Sequence, residues 1–131
     1  MYLHPIVLLL LSHLFGDFIF QGNKIATQKS KSLKWLSIHV LIYTSVLTVI
    51  SVFALDSKLL LDFVLINGIL HWFTDLITSK INARLFQMEN KHWFYMGIGV
   101  DQFIHGACLV YTYEYYTSLD SLPYFFQLIF G

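Results

Sequence analysis

Three apolar stretches of this chain each carry a histidine and an aspartate four residues apart, and this pattern constrains the fold more than any other feature. The pairs are His13 with Asp17, His71 with Asp75 and, in reverse order, Asp101 with His105. Residues four apart lie on one face of an α-helix, so each pair predicts a polar face on an apolar helix. Because each ionisable side chain in a membrane helix costs roughly 2.5 to 3.5 kcal/mol on insertion, we expect these residues to share a function.

The composition around these pairs is typical of a membrane protein. Hydrophobic residues make up 56% of the 131 positions, charged residues make up 12%, and the formal net charge is zero. A soluble domain carries about 25% charged residues. Four apolar runs reach the length of about 20 residues that a transmembrane helix needs, and they cover residues 2–21, 33–55, 58–80 and 93–116. The neutral charge argues against a nucleic-acid partner, and membrane lipids are the expected surroundings.

These runs predict a single all-α integral membrane domain over residues 1–131, built as a four-helix transmembrane bundle. The segment HLFGDFI at His13 matches HWFTDLI at His71, which indicates two related helical hairpins. The aromatic residues after Ser121 are too few to cross a bilayer, so we expect a short C-terminal segment lying in the membrane interface.

The basic residues predict the orientation of the helices. Seven of the eight lysines and arginines lie in the first and third connections, and only Lys58 lies in the second. By the positive-inside rule the first and third connections are cytoplasmic and both termini face outward.

Turning the polar faces inward would gather imidazoles and carboxylates in one small volume. Three carboxylates that close together repel one another in a medium of low dielectric constant, and a divalent cation would remove the repulsion. Imidazole and carboxylate ligands suit zinc, manganese or iron, and seven ligands are enough for one or two ions. The predicted metal ligands are His13, Asp17, His39, His71, Asp75, Asp101 and His105. Gln21 and Gln102 are predicted to orient these ligands through hydrogen bonds.

The leading functional hypothesis is a metal-dependent hydrolase that opens to the cytoplasmic leaflet. An unligated carboxylate, Asp17 or Asp75, would accept the proton of a metal-activated water. A phosphoester of a lipid or lipid-linked molecule is the expected substrate, since basic residues lie close to the site. The predicted phosphate contacts are Lys29, Lys31, Lys80 and Arg84.

Two alternatives remain open on the sequence. The same cluster could serve a transporter of protons or divalent cations, which with only four helices would require a homo-oligomer. It could also fix the helix register of a small structural or partner-binding membrane protein.

The segments HLFGDFIFQ, IHVLIY, LHWFTDLITSK and DQFIH resemble a family of small bacterial integral membrane proteins known as domain of unknown function 3307. The resemblance covers nearly the whole chain and implies a four-helix membrane fold in the bacterial inner membrane, but it implies no activity. The recurrence of His and Asp is also loosely similar to membrane-bound metal-dependent hydrolases, in residue types rather than in motifs.

Overall fold

The computed structural model describes residues 3–120, with side chains up to residue 118, and this part of the chain is all-helical. The helices are α1 (Pro5–Leu14), which continues through a π-helical turn (Phe15–Ile19), α2 (Gly22–Gln28), α3 (Leu33–Ser51), α4 (Ser57–Gln87) and α5 (Lys91–Asp120). The interfacial segment predicted after Ser121 lies outside the described residues.

The first predicted helix, residues 2–21, is interrupted near its end. In the π-helical turn the Phe20 N–H donates to the carbonyl of Phe15, five residues back, at 2.9 Å. Gly22 follows with φ +57°, a conformation that glycine adopts without steric cost. The segment Pro5–Ile19 therefore meets α2 at an angle of 87°. This short helix α2 was not predicted, because a bend of this kind leaves no trace in the hydropathy pattern.

The other helix ends also differ from the predicted boundaries. Helix α3 ends at Ser51 rather than at residue 55, and Asp56 caps the start of α4 by accepting a hydrogen bond from the Lys58 N–H at 3.1 Å. Helix α4 continues beyond Lys80 to Gln87. The apolar run stops at Lys80, but the residues that follow are mostly good helix formers, so the backbone has no reason to stop there.

The four longer helices pack side by side in a closed ring. Helix α4 packs against α3 and α5, and α1 packs against the same two helices. One part of the interior is apolar and consists of Leu9, Tyr43, Leu47, Phe63, Val64 and Leu109. Large apolar side chains also point outward, with Leu41 67% and Phe103 74% exposed. Apolar side chains on the outside around buried polar ones fit a lipid environment.

Two of the described helices, α3 and α4, are long and apolar enough to cross a membrane. The bent pair formed by Pro5–Ile19 and Gly22–Gln28 makes a third if it is counted as one broken span.

Candidate metal centre

The structure brings the seven predicted metal ligands together inside the ring. Each is exposed by 7% or less. They come from the four longer helices with the π-helical turn: His13 and Asp17 from the first segment, His39 from α3, His71 and Asp75 from α4, and Asp101 and His105 from α5. In each pair the two residues four apart are both buried inside the ring. In the first pair the π-helical turn holds Asp17, and such turns are frequent at functional sites.

His39 lies at the centre of the first group of ligand atoms. Its Nε2 is 3.0 Å from Asp17 Oδ1, 3.1 Å from Asp75 Oδ2 and 3.1 Å from His71 Nε2. The His71 Nε2 is 3.7 Å from Asp17 Oδ1 and 3.6 Å from Asp75 Oδ2. A ring nitrogen carries at most one hydrogen, so His39 Nε2 cannot donate a hydrogen bond to each of these three atoms. These four buried residues form a group that could hold a metal ion.

A second group that could hold a metal consists of Asp17, Asp101 and His105. The His105 Nε2 is 3.4 Å from Asp101 Oδ1 and 3.2 Å from Asp75 Oδ1, so this imidazole also touches the first group. Asp17 belongs to both groups. His13 belongs to neither, and its Nε2 is 3.8 Å from Asp17 Oδ2.

Lys29 inserts its ammonium group among these ligands. Its Nζ donates to Asp75 Oδ2 at 2.8 Å and lies 3.5 Å from His39 Nε2 and 3.7 Å from Asp17 Oδ1. The residue follows α2, so the bend at Gly22 returns the chain toward the cluster. Burial works against the charge of Lys29, but the carboxylates of Asp75 and Asp17 outweigh it and raise the pKa of Lys29. The sequence predicted this lysine only as a phosphate contact.

The imidazole rings are oriented by stacking. The Tyr43 ring stacks on His71 with centroids 3.9 Å apart, and the opposite neighbour of the His71 ring is His105 at 4.0 Å. Within residues 3–118 the buried Nδ1 atoms of His13, His39 and His71 have no hydrogen-bond partner. Metal-binding histidines usually donate from this second nitrogen. Here the ring planes are held by aromatic packing, and the Nε2 atoms are the ones that converge.

The accessory residues predicted from the sequence fall into two sets. Gln102 contacts three of the predicted ligands: its Oε1 is 2.9 Å from His13 Nε2, and its Nε2 donates to Asp17 Oδ2 at 2.8 Å and to Asp101 Oδ2 at 3.1 Å. The buried Oε1 of Gln21 has no hydrogen-bond partner among the described residues. The predicted phosphate contacts Lys80 and Arg84 are exposed on α4.

A cavity of about 540 Å³ adjoins the cluster. Asp17, Asp75 and Asp101 border it on the cluster side together with Lys29, and Lys31 also lines it. Further along, its wall is aromatic and aliphatic and includes Phe18, Phe86, Phe94 and Ile98. This volume falls in the range of about 300 to 1,000 Å³ that small-molecule sites occupy.

Two residues of the site were missed on the sequence. Thr78 donates a short hydrogen bond from its hydroxyl to Asp101 Oδ1, and Tyr43 packs on the imidazoles. Both carry a signal that could have found them: Tyr43 lies four residues after His39, and Thr78 lies three residues after Asp75. Each therefore shares a helix face with a predicted ligand.

The fold and the cluster define a class: an all-helical protein with two to three helices fit to cross a membrane and a buried His/Asp group positioned to hold a metal ion. The chain belongs to a family described as protein of unknown function (DUF3307), whose model matches residues 6–129. The resemblance seen in the sequence is thereby confirmed. No curated protein and no solved structure is similar enough to this chain to match it.

Proposed function

We propose that this protein is a membrane-embedded metal-dependent hydrolase that acts on a phosphoester of a lipid or lipid-linked molecule at the cytoplasmic leaflet. The observation that carries the proposal is the convergence of Asp17, His39, His71 and Asp75, all buried, with ligand atoms within 4.8 Å of one another. One or two ions of zinc, manganese or iron would be the cofactor.

The spacing of the ligand atoms in the first group is close to that around a bound metal ion. Metal bonds of about 2.0 to 2.1 Å in tetrahedral geometry place neighbouring ligand atoms about 3.3 to 3.4 Å apart. The distances in the first group that involve an imidazole nitrogen run from 3.0 Å, between His39 and Asp17, to 3.7 Å, between His71 and Asp17. These distances bracket the expected separation.

The second group supports a second ion beside the first. Asp17 is common to both groups, and the two oxygens of Asp75 face different imidazoles, with Oδ2 toward His39 and Oδ1 toward His105. Hydrolytic enzymes with two-metal sites hold their ions about 3.5 to 4 Å apart. Carboxylates that lie between the two groups of ligands suit such a site.

The reaction follows from the residues that border the cavity. A bound divalent cation would supply Lewis acidity and lower the pKa of water toward about 7. The oxygen of Asp17 or Asp75 that does not bind the ion would accept the proton from that water. The water oxygen would form a bond to phosphorus as the ester P–O bond breaks. The carboxylate would then pass its proton to the departing alkoxide, which would leave as the alcohol along the aromatic wall of the cavity.

The membrane arrangement that we propose is the four-helix transmembrane bundle, with two related hairpins in the inner membrane. Helices α3 and α4 supply two spans, and the outward apolar side chains of α5, such as Phe103, support a further one. The seven basic residues of the first and third connections would lie on the cytoplasmic side, and both termini on the other.

Elemental analysis of detergent-purified protein tests the metal centre. We expect one or two equivalents of metal in the wild type and less than a tenth of that in Asp17→Asn and His39→Ala, since each removes a ligand of the first group. Asp62→Asn and His92→Ala are matched controls, because both residues are exposed and lie outside the cluster. A folded wild type that retains no zinc, manganese or iron after loading would refute the proposal.

Turnover is a separate test. Metal-loaded wild type should release phosphate from a short-chain phosphatidate, and Asp75→Asn should not. If the metal-loaded protein hydrolyses none of the phosphoesters tested, the proposal of an enzyme is refuted, but the proposal of a metal site is not.

The ammonium of Lys29 favours a second candidate, a metal-free relay for protons. Lys29, His39 and the two carboxylates of the first group form a continuous set of polar contacts between 2.8 and 3.7 Å. This version requires a homo-oligomer. Proton flux into proteoliposomes without bound metal would support it, and stoichiometric metal without flux would refute it.

A further inference from the structure

Lys29 is the one basic residue of the described chain that reaches the buried cluster. The other seven lysines and arginines are exposed, whereas the Lys29 side chain is only 13% exposed. Its Nζ contacts Asp75, His39 and Asp17, which are three of the four residues in the first metal-binding group. The ammonium therefore covers one face of the proposed metal site.

The Lys29 ammonium cannot stay on this face when a metal ion occupies the site. A metal bonded to the three ligand atoms would lie about 2 Å from each of them, just beneath the face that the ammonium covers. Two cations a few ångströms apart repel strongly in a medium of low dielectric constant. Metal binding would also use the carboxylate oxygens that attract Lys29 in the metal-free protein. Occupation of the site therefore pushes the ammonium away.

The cavity offers the displaced ammonium a place to go. Lys29 lines it, and so do Gln21, Ser79 and Asn82. Each of these three residues has a buried side-chain oxygen with no hydrogen-bond partner among the described residues. Phe86 and Phe94, with ring centroids 5.3 Å apart, belong to the apolar part of the wall. A ligand with an anionic group near the cluster and an apolar chain along these rings matches the cavity at both ends.

We propose that Lys29 alternates between two partners: the carboxylates of Asp17 and Asp75 when the metal site is empty, and a phosphate group in the adjoining cavity when it is filled. Lys29 then couples the two ligands, because metal frees the ammonium that binds phosphate and phosphate holds the ammonium away from the metal site. This inference rests on the proposed function for the metal. The phosphate is either free or part of a lipid headgroup, since both present the same oxygens.

The coupling is measured by titrating Mn²⁺ into detergent-solubilised full-length protein, alone and with inorganic phosphate or a six-carbon-chain phosphatidate. In the wild type we expect either phosphate probe to tighten Mn²⁺ binding by about tenfold, within the usual range of linked binding. Lys29→Gln should bind Mn²⁺ alone about tenfold more tightly than the wild type, because the competing charge is gone. Phosphate should then change its affinity by less than about twofold.

Two further variants separate charge from structure. Lys29→Arg retains a cation and should keep most of the coupling. Lys58→Gln, at the exposed start of α4, should behave as the wild type. Tightening by the phosphatidate alone would identify a headgroup on an apolar chain as the ligand, and equal tightening by both probes would identify the phosphate group itself. An unchanged Mn²⁺ affinity in Lys29→Gln, or a phosphate effect that survives in it, would overturn the inference while leaving the metal site standing. A wild type that binds no Mn²⁺ would overturn both.

Discussion

Replacing Asp75 by Asn removes one buried charge while keeping the shape of the side chain. One carboxylate oxygen of Asp75 lies 2.8 Å from Lys29 Nζ and 3.1 Å from His39 Nε2, and the other lies 3.2 Å from His105 Nε2. After the substitution the nearest carboxylate to Lys29 is Asp17 at 3.7 Å. Because the Asp75 side chain is 1% exposed, water cannot take over the lost interactions.

Removal of one partner from a buried ion pair costs about 3 to 5 kcal/mol when the other charge is left without compensation. Because the carboxylate of Asp17 stays 3.7 Å from the ammonium, we expect Asp75→Asn to lower the free energy of unfolding of the metal-free protein by less, about 1 to 3 kcal/mol, which is the cost of a buried donor that loses its hydrogen-bond partner. Lys29→Met should suppress part of the loss, so that the double variant is destabilised by at least about 1 kcal/mol less than the sum of the single variants.

The free energy of unfolding is measured by denaturant titration in mixed micelles with a chelator present, using tryptophan fluorescence. Asp62→Asn is the control, because the exposed carboxylate of Asp62 should cost no more than about 0.5 kcal/mol. If Asp75→Asn is as stable as this control, or if the double variant shows no coupling, the buried charge pair does not form and the reasoning fails.

Three further predictions concern the supports of the site. Gly16→Val should destabilise the fold by about 1 to 3 kcal/mol in the same assay, because a Cβ on Gly16 would lie 3.1 Å from the Cα of Tyr43. Gln102→Leu should weaken Mn²⁺ binding by about tenfold or more, since it removes the hydrogen bond to Asp17, and a titration of the variant checks this. The backbone hydrogen bond at the start of α4 lowers the pKa of Asp56 from 3.8, so its stabilising charge is present above that pH and is lost as the pH falls through the lower folded value. The gap in melting temperature between wild type and Asp56→Ala should therefore narrow below about pH 3.8, whereas Asp56→Asn should keep the cap at every pH.

The sequence pattern indicated which histidines and aspartates share inward helix faces. A spacing of four puts His71 and Asp75 on one helix face wherever the helix is placed, and the high cost of polar groups in lipid turns that face inward. The helical class follows from the same apolar runs. What the sequence could not supply is the path of the backbone after Ile19, because the bend at Gly22 depends on φ +57° and on packing rather than on hydropathy.

That bend explains why Lys29 was expected in a connection and is found at the cluster. In a straight first helix the chain would leave the membrane after Gln21 and carry its lysines into water. With α2 turned by 87°, Lys29 returns to Asp75, while Lys31 and Lys34 stay exposed. A position fixed by a turn and a tertiary contact has no periodic signature, so no reading of spacing would separate Lys29 from its neighbours.

The count of charges inside the ring gives the strongest physical reason to expect a cation there. Three buried carboxylates, Asp17, Asp75 and Asp101, face one ammonium, that of Lys29, which leaves two negative charges without a partner if the imidazoles are neutral. Uncompensated charge in an apolar interior is too costly to persist. One divalent cation would supply the two missing positive charges while the displaced Lys29 ammonium stays close by in the adjoining cavity, and protonation of two of the four histidines would supply the same number. The two solutions differ in an observable way: metal binding at neutral pH would release protons only if the imidazoles carried them beforehand. The number of protons released when Mn²⁺ is added to weakly buffered protein therefore distinguishes the two. A site with neutral imidazoles should release close to no protons, and a site with charged histidines should release about two.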